Sequence, residues 1–231
     1  MSEKKSIYFC GDIHGELRKL VWTITERYKA TNIDLVVCGD FGVGFGRPKS
    51  MDVMYSRVLK RLEKNDIRLY TIRGNHDDPA WFDGKHDYPR LKFLEDHELV
   101  NIAGWSIYPI GGATSIDKAA RIEAQKKIKT KCFWEGEKIE RVDKYPGRAD
   151  IIVSHTAPIS FEPVVFRDRD MTEETYNSIV SERTYLTSII GEMGFSYWFY
   201  GHFHHSYSGN IGSKIYHGLG IDEIFELRKS E

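Results

Sequence analysis

A short apolar run, then a small residue, then Asp, His or Asn: this order recurs five times along the chain and constrains the fold more than any other feature. The runs at residues 6–10, 34–38, 68–72, 150–153 and 196–200 have the length and composition of strands. They lead into Gly11-Asp12-Ile13-His14-Gly15, Gly39-Asp40, Gly74-Asn75-His76-Asp77, Ser154-His155 and Gly201-His202-Phe203-His204. The glycine or serine at each strand end permits a sharp turn. In open α/β sheets ligands bind in the crevice outside the carboxyl ends of the strands, so these polar groups are expected to converge there.

The intervening segments supply the helices of such a fold. Residues 15–29 carry Leu17, Leu20, Val21, Ile24 and Tyr28 at helical spacing, and residues 51–64 align Met54, Val58 and Leu62. The first 80 residues thus read as β-α-β-α-β with parallel strands and right-handed crossovers. Two short strands follow at 98–102 and 105–110, joined by a turn at Ala103-Gly104. A long helix is expected over 173–192, with Tyr176, Ile179, Val180, Leu186 and Ile190 on one face. Strands at 214–217 and 223–227 suggest a second sheet completed by the C-terminus.

The 231 residues, 41% of them hydrophobic, suffice for one domain with a continuous core, and the candidate ligands run from Asp12 to His204. A single domain over 1–231 is therefore expected, with a charged excursion at about 117–148. A net charge of -1 gives no overall pull toward nucleic acid or anionic membrane. The N-terminus shows no signal-type run, and no stretch approaches the ~20 apolar residues of a membrane span, which points to a cytoplasmic protein. Cys10, Cys38 and Cys132 lack CxxC spacing and suggest neither disulfides nor a structural zinc site. Pairing of Cys10 with Cys38 would require their strands to be neighbours.

Two carboxylates, four imidazoles and one amide oxygen, from Asp12, His14, Asp40, Asn75, His155, His202 and His204, exceed the needs of one tetrahedral ion. If the backbone stays extended, Asp12 with His14, and His202 with His204, point the same way at i and i+2. Mixed N and O donors without thiolate suit two divalent transition metals, Mn, Fe, Zn, Co or Ni, with Mn favoured. Two divalent cations ~4 Å apart repel by about 16 kcal/mol at an effective dielectric of roughly 20, so an anion must lie between them. Asp40, alone in its motif, is the natural bridging carboxylate, helped by hydroxide. The positive charge left over favours a phosphate.

Taken together, the five motifs resemble those of the calcineurin-like metallophosphoesterases, over about residues 6–220. The resemblance implies an α/β fold, a four-layer α/β/β/α sandwich with two mixed sheets and a dimetal centre at the strand ends. It implies that Asp12, His14, Asp40 and His204 hold one metal, that Asp40, Asn75, His155 and His202 hold the other, and that His76 is the catalytic histidine. Asp77 or Asp78 would orient His76. The expected activity is hydrolysis of a phosphodiester or phosphomonoester by in-line attack of a metal-bridging hydroxide, with phosphodiesterase favoured over phosphatase.

Departures from the protein Ser/Thr phosphatase branch argue against that activity. Val43 and Gly44 stand where that branch has Asp and Arg, and Asp77 stands where it has Glu. Arg47 or Arg73 would have to grip the substrate phosphate instead, and His205, next to His204, would line the site. A non-catalytic metal-binding scaffold of the same fold is the competing reading, but no ligand position and no catalytic histidine is eroded. The basic run Lys118, Arg121, Lys126, Lys127, Lys129 and Lys131, with Trp134 and Tyr145 interleaved, raises nucleotide or nucleic acid as the phosphate-ester partner. Five acidic residues dilute it, so a solvated excursion is the default. Neither a membrane nor an obligate protein partner is indicated.

Overall fold

The structure, a computed structural model, describes residues 6–45, 49–128, 131–165, 167 and 171–228. Its strands are β1 (Ser6–Cys10), β2 (Ile33–Val37), β3 (Ile67–Thr71), β4 (Leu91–Phe93), β5 (Val100–Ile102), β6 (Trp105–Ile110), β7 (Ile151–Ser154), β8 (Tyr197–Tyr200), β9 (Tyr207–Ile211), β10 (Lys214–Gly218) and β11 (Ile224–Leu227). Its helices are α1 (Leu17–Trp22), which runs on into a π-helical turn, α2 (Ser50–Ser56), α3 (Leu59–Lys64), α4 (Lys118–Lys127) and α5 (Glu173–Glu192).

The alternation of side chains along a strand decides the layering. On β1, Ile7 and Phe9 face a second sheet, while Tyr8 and Cys10 face the helices α1 to α3. The same division runs along β2, where Val36 faces the second sheet and Leu35 and Val37 the helices. The first sheet has the order β11-β1-β2-β3-β4 and the second β5-β6-β7-β8-β10-β9. Both are mixed: β11, β5 and β9 pair antiparallel at otherwise parallel sheets. Between the sheets Phe9 and Phe199 stack with ring centroids 3.8 Å apart. The outer face of the second sheet buries Tyr108, Ile152 and Trp198 against Leu186 and Ile189 of α5. The result is the expected α/β/β/α sandwich, with apolar strands covered on both faces as their composition requires.

Three local expectations need correction. The segment 51–64 is two helices, because the chain breaks at Arg57–Val58, where Val58 bonds back to Tyr55 and buries its side chain. The C-terminal strand does not complete the second sheet. After β9 and β10 extend that sheet, β11 returns to the first and pairs with β1, bringing Leu227 into the inter-sheet core. Two strands went unpredicted: β4 is only three residues long, and β9 is a polar edge strand. Strands β1 and β2 are neighbours, yet Cys10 packs on the helix side and Cys38 between the sheets, so both thiols are free. Among the described residues no helix is long and apolar enough to cross a membrane.

Candidate metal centre

The ends of β1, β2, β3, β7 and β8 meet at one rim of the sandwich, and all seven predicted ligands converge there. On one side Asp12 Oδ2 lies 3.2 Å from His204 Nε2 and 3.9 Å from His14 Nε2, and the two imidazole nitrogens are 3.2 Å apart. His14 Nδ1 stands 3.9 Å from Asp40 Oδ2, which links this group to the next. On the other side His155 Nε2 lies 3.2 Å from Asp40 Oδ1 and 2.8 Å from Asn75 Oδ1, and Asn75 Oδ1 lies 3.0 Å from His202 Nδ1.

Hydrogen-bond chemistry says what such a cluster lacks. His155 Nδ1 is 2.8 Å from the carbonyl oxygen of Cys38, which can only accept, so Nδ1 carries the hydrogen. In the neutral ring Nε2 is then a lone pair, and it faces two more acceptors, Asn75 Oδ1 and Asp40 Oδ1. Only a proton or a cation relieves that opposition. Ligands about 2.1 Å from one ion stand about 3.0 Å apart at the corners of an octahedron, a spacing the second group already has. The donor set therefore fits a pair of divalent ions, with Asp40 placed between the two groups.

The electrostatics reflect the same demand. Burial opposes charge on His155, but Asp40 beside it raises the imidazole pKa to about 9. Burial likewise opposes the Asp40 carboxylate, yet His155 and His76 hold its carboxyl well below the usual range. Desolvation of its half-buried ring and the nearby His155 push His202 well below the ordinary imidazole value. His204 is raised by its hydrogen bond to Asp12. Burial lowers His76.

Four of the seven ligands do not sit on extended backbone. His14, Asp40, His202 and His204 have φ of 43°, 49°, 70° and 60°, a left-handed conformation that costs energy for non-glycine residues and collects at functional sites. The pairs at i and i+2 thus reach the cluster from tight turns and not from strand pleating. Close approach explains two of the motif glycines. A Cβ on Gly74 would overlap Asp40, and one on Gly201 would overlap the Asp12 carboxylate.

His76 stands at the edge of this cluster, its ring centroid 5.7 Å from that of His14 and 6.3 Å from Phe45. Its backbone N–H donates to Asp40 Oδ1 at 2.8 Å. Asp77 does not orient it. That carboxylate, fully buried, accepts the backbone N–H groups of Phe41, Gly42, Val43 and Gly74 at 2.6 to 3.1 Å, tying the loop after β2 to the loop after β3. Burial and the nearby Asp40 charge push its pKa up to about 6, against the pull of those donors. Asp78 instead accepts from Ala80 N–H and starts a short helical turn.

The predicted phosphate contacts fare differently. Arg73 faces away from the cluster: its guanidinium donates twice to Asp96 and to the carbonyls of Gly111, Gly136 and Lys138, with the side chain only 6% exposed. A group so fully engaged is a structural clamp. His205 is exposed in the turn after His204. Arg47 lies outside the described residues, as does Lys129 of the basic run. Lys126 and Lys127 of that run pair with Glu123 on α4.

One group of polar residues was missed by the motifs. Ser115, Arg121 and Glu137, all buried, connect the charged excursion to Asn75. A signal for it was present: the apolar strand β6 ends in Gly111-Gly112, followed by Thr114 and Ser115, a sixth strand end of the same kind with hydroxyls in place of ligands.

The family model for calcineurin-like phosphoesterases matches residues 5–206. Comparison with curated protein sequences gave no match. Among solved structures the chain is similar to the phosphopantetheinyl hydrolase PptH from Mycobacterium tuberculosis, with a TM-score of 0.51 and 12% identity over 98% of this chain and 97% of that one. At that identity the likeness shows the fold, and the two findings agree with the sandwich and the cluster at its rim. The chain belongs to the calcineurin-like phosphoesterase family.

Proposed function

We propose that this chain hydrolyses a phosphodiester at a dimetal centre held by Asp12, His14, Asp40 and His204 on one side and Asp40, Asn75, His155 and His202 on the other. The observation that carries the reading is the convergence of acceptor oxygens from Asn75 and Asp40 on Nε2 of His155, within 2.8 to 3.2 Å, where the neutral ring offers only a lone pair because Nδ1 is bonded to the Cys38 carbonyl. Two divalent ions there would polarise the phosphoryl oxygens and supply a nucleophile from water at neutral pH.

The chain's own groups do the rest. The turns at His14, Asp40, His202 and His204 fix the ligands before substrate arrives, so little reorganisation remains at the reacting centre. His76, whose charged form burial disfavours, retains one ring N–H, which it donates in a hydrogen bond to the oxygen that leaves phosphorus, and water supplies the proton that oxygen takes up. Arg73 and Arg121, which reach the loop after β3, are both committed to protein acceptors. A diester carries one negative charge less than a monoester at neutral pH, so this site asks less of such cations when its substrate is a diester.

The test is hydrolysis of a bis-aryl phosphate against its mono-aryl counterpart by protein stripped with chelator and reloaded with Mn²⁺. The diester is expected to react faster, and His76→Ala is expected to lose about 10²- to 10⁴-fold in kcat while still binding metal. A monoester preference would assign a phosphatase. Inertness of the reloaded protein toward both esters would sink the catalytic reading.

A further inference from the structure

An asparagine offers an ion two nearly isosteric ends, and only one of them can bind it. Rotation of the Asn75 amide by half a turn would aim NH₂ at the cluster and remove a ligand. The charged excursion contains a chain of hydrogen bonds whose direction is fixed at its far end. Glu137, only 1% exposed, can only accept as a carboxylate, and it accepts from Arg121 Nη2 at 2.7 Å and from the Ser115 hydroxyl at 2.7 Å. Because Ser115 gives its one proton to Glu137, its lone pairs are left to receive Asn75 Nδ2 at 2.8 Å and a close approach of Arg121 Nη2. Neither donor to Ser115 can be turned into an acceptor without losing a bond. Asn75 is therefore left with its carbonyl oxygen toward His155 and His202.

The same arginine holds the backbone of the ligand. Arg121 Nη1 donates to the carbonyl of Asn75 at 3.2 Å and to that of Cys132 at 3.3 Å, while Nε bonds to Asp117 at 3.0 Å. All faces of the guanidinium are used, and it is 8% exposed. Such an arginine is a strut.

We propose that Ser115, Arg121 and Glu137 are positioning residues that lock the amide of Asn75 with its oxygen toward the metal, so that the charged excursion sets affinity at one of the two ion sites. The inference rests on the dimetal reading above. It also gives the excursion a role other than contact with a polyanion. Partners of this kind around a ligating group typically change metal affinity by about 10- to 100-fold.

The experiment is calorimetric titration of Mn²⁺ into chelator-treated full-length protein, comparing the parent with Ser115→Ala and Glu137→Gln, alongside the melting temperature in chelator. The parent should bind two ions. Both variants should bind one ion as the parent does and the other about 10- to 100-fold more weakly. Ser115→Ala removes only one oxygen and decides the matter if Glu137→Gln does not fold. Two parent-like affinities in the variants, with only the melting temperature lowered, would make the network merely structural and overturn the proposal. A parent that binds fewer than two ions would overturn the dimetal reading itself, and the proposal with it.

Discussion

Oδ1 of Asp40 stands 3.2 Å from Nε2 of His155, and neither side chain has more than a trace of solvent exposure. In chelator-treated protein this is a buried ion pair, with the His155 pKa raised from 6.5 to about 9. A raised histidine stabilises the fold fully below its unfolded pKa, and that contribution disappears as pH climbs through the folded value. Between pH 6.5 and 9 the chelated protein should therefore lose on the order of 3 kcal/mol. Metal binding at pH 7.5 must expel the same proton, so affinity should fall as pH is lowered. Melting temperature against pH, with chelator and with Mn²⁺, checks both signs. A flat chelated profile over that window would mean that His155 is not held protonated.

Asp77 next to His76 reads from sequence as a catalytic partner, but its four backbone donors make it a brace between two ligand-bearing loops. Asp77→Asn keeps one acceptor and turns an NH₂ group against amide hydrogens that have nowhere else to go. Each buried donor left unpaired costs about 1 to 3 kcal/mol, so urea unfolding should show a loss of about 2 to 5 kcal/mol. Turnover, measured well below the melting temperature, should fall less than in His76→Ala. The opposite ranking, a stable Asp77→Asn protein as inactive as His76→Ala, would return Asp77 to the chemistry.

Gly74→Ala tests whether the motif glycines serve turning or close approach. The added methyl would strike the backbone nitrogen and the carboxylate of Asp40, which packs against Gly74 Cα. Because Gly74 does not have a positive φ, backbone strain is not the issue, and a turn-only role predicts a mild effect. Displacement of Asp40 predicts loss of Mn²⁺ binding, measured by metal content after gel filtration, together with a lowered melting temperature. Retention of two ions in a folded Gly74→Ala protein would leave the turn explanation standing.

Motif spacing made the cluster legible because each ligand follows its strand within a few residues, and a sheet gathers strand ends whatever their separation in sequence. Alternation along β1 and β2 similarly foretold burial on both faces. What stayed hidden depended on partners far away in the chain. Whether Arg73 meets a phosphate or Asp96 is decided by where residues 96 and 111–138 fold, and nothing in Ile72-Arg73-Gly74 carries that information. The turn conformation of His14 and His202 was equally invisible, since Asp-X-His and His-X-His strings are compatible with a strand until their neighbours force a left-handed turn. The return of β11 to β1 required knowing that Gly11 and Gly220 touch, which only the packed structure shows.

Arg73 gives the sharpest separation between holding the fold and holding the substrate. Its side chain joins the end of β3 to Asp96 and to carbonyls before and within the excursion, with the Asp96 pair almost closed to water at 6% and 11% exposure. Lysine keeps the charge but not the fork, so Arg73→Lys can satisfy Asp96 or a carbonyl, not all of them. Breaking a buried pair of this kind costs about 3 to 5 kcal/mol when one partner is removed outright, and the conservative change should cost roughly half of that. Guanidinium chloride unfolding of Arg73→Lys and Arg73→Ala is expected to follow this order, with KM for a bis-aryl phosphate within about twofold of the parent, since a group that never meets the substrate contributes nothing to its ground-state binding. A KM raised tenfold in a variant of unchanged stability would place Arg73 on the phosphate after all.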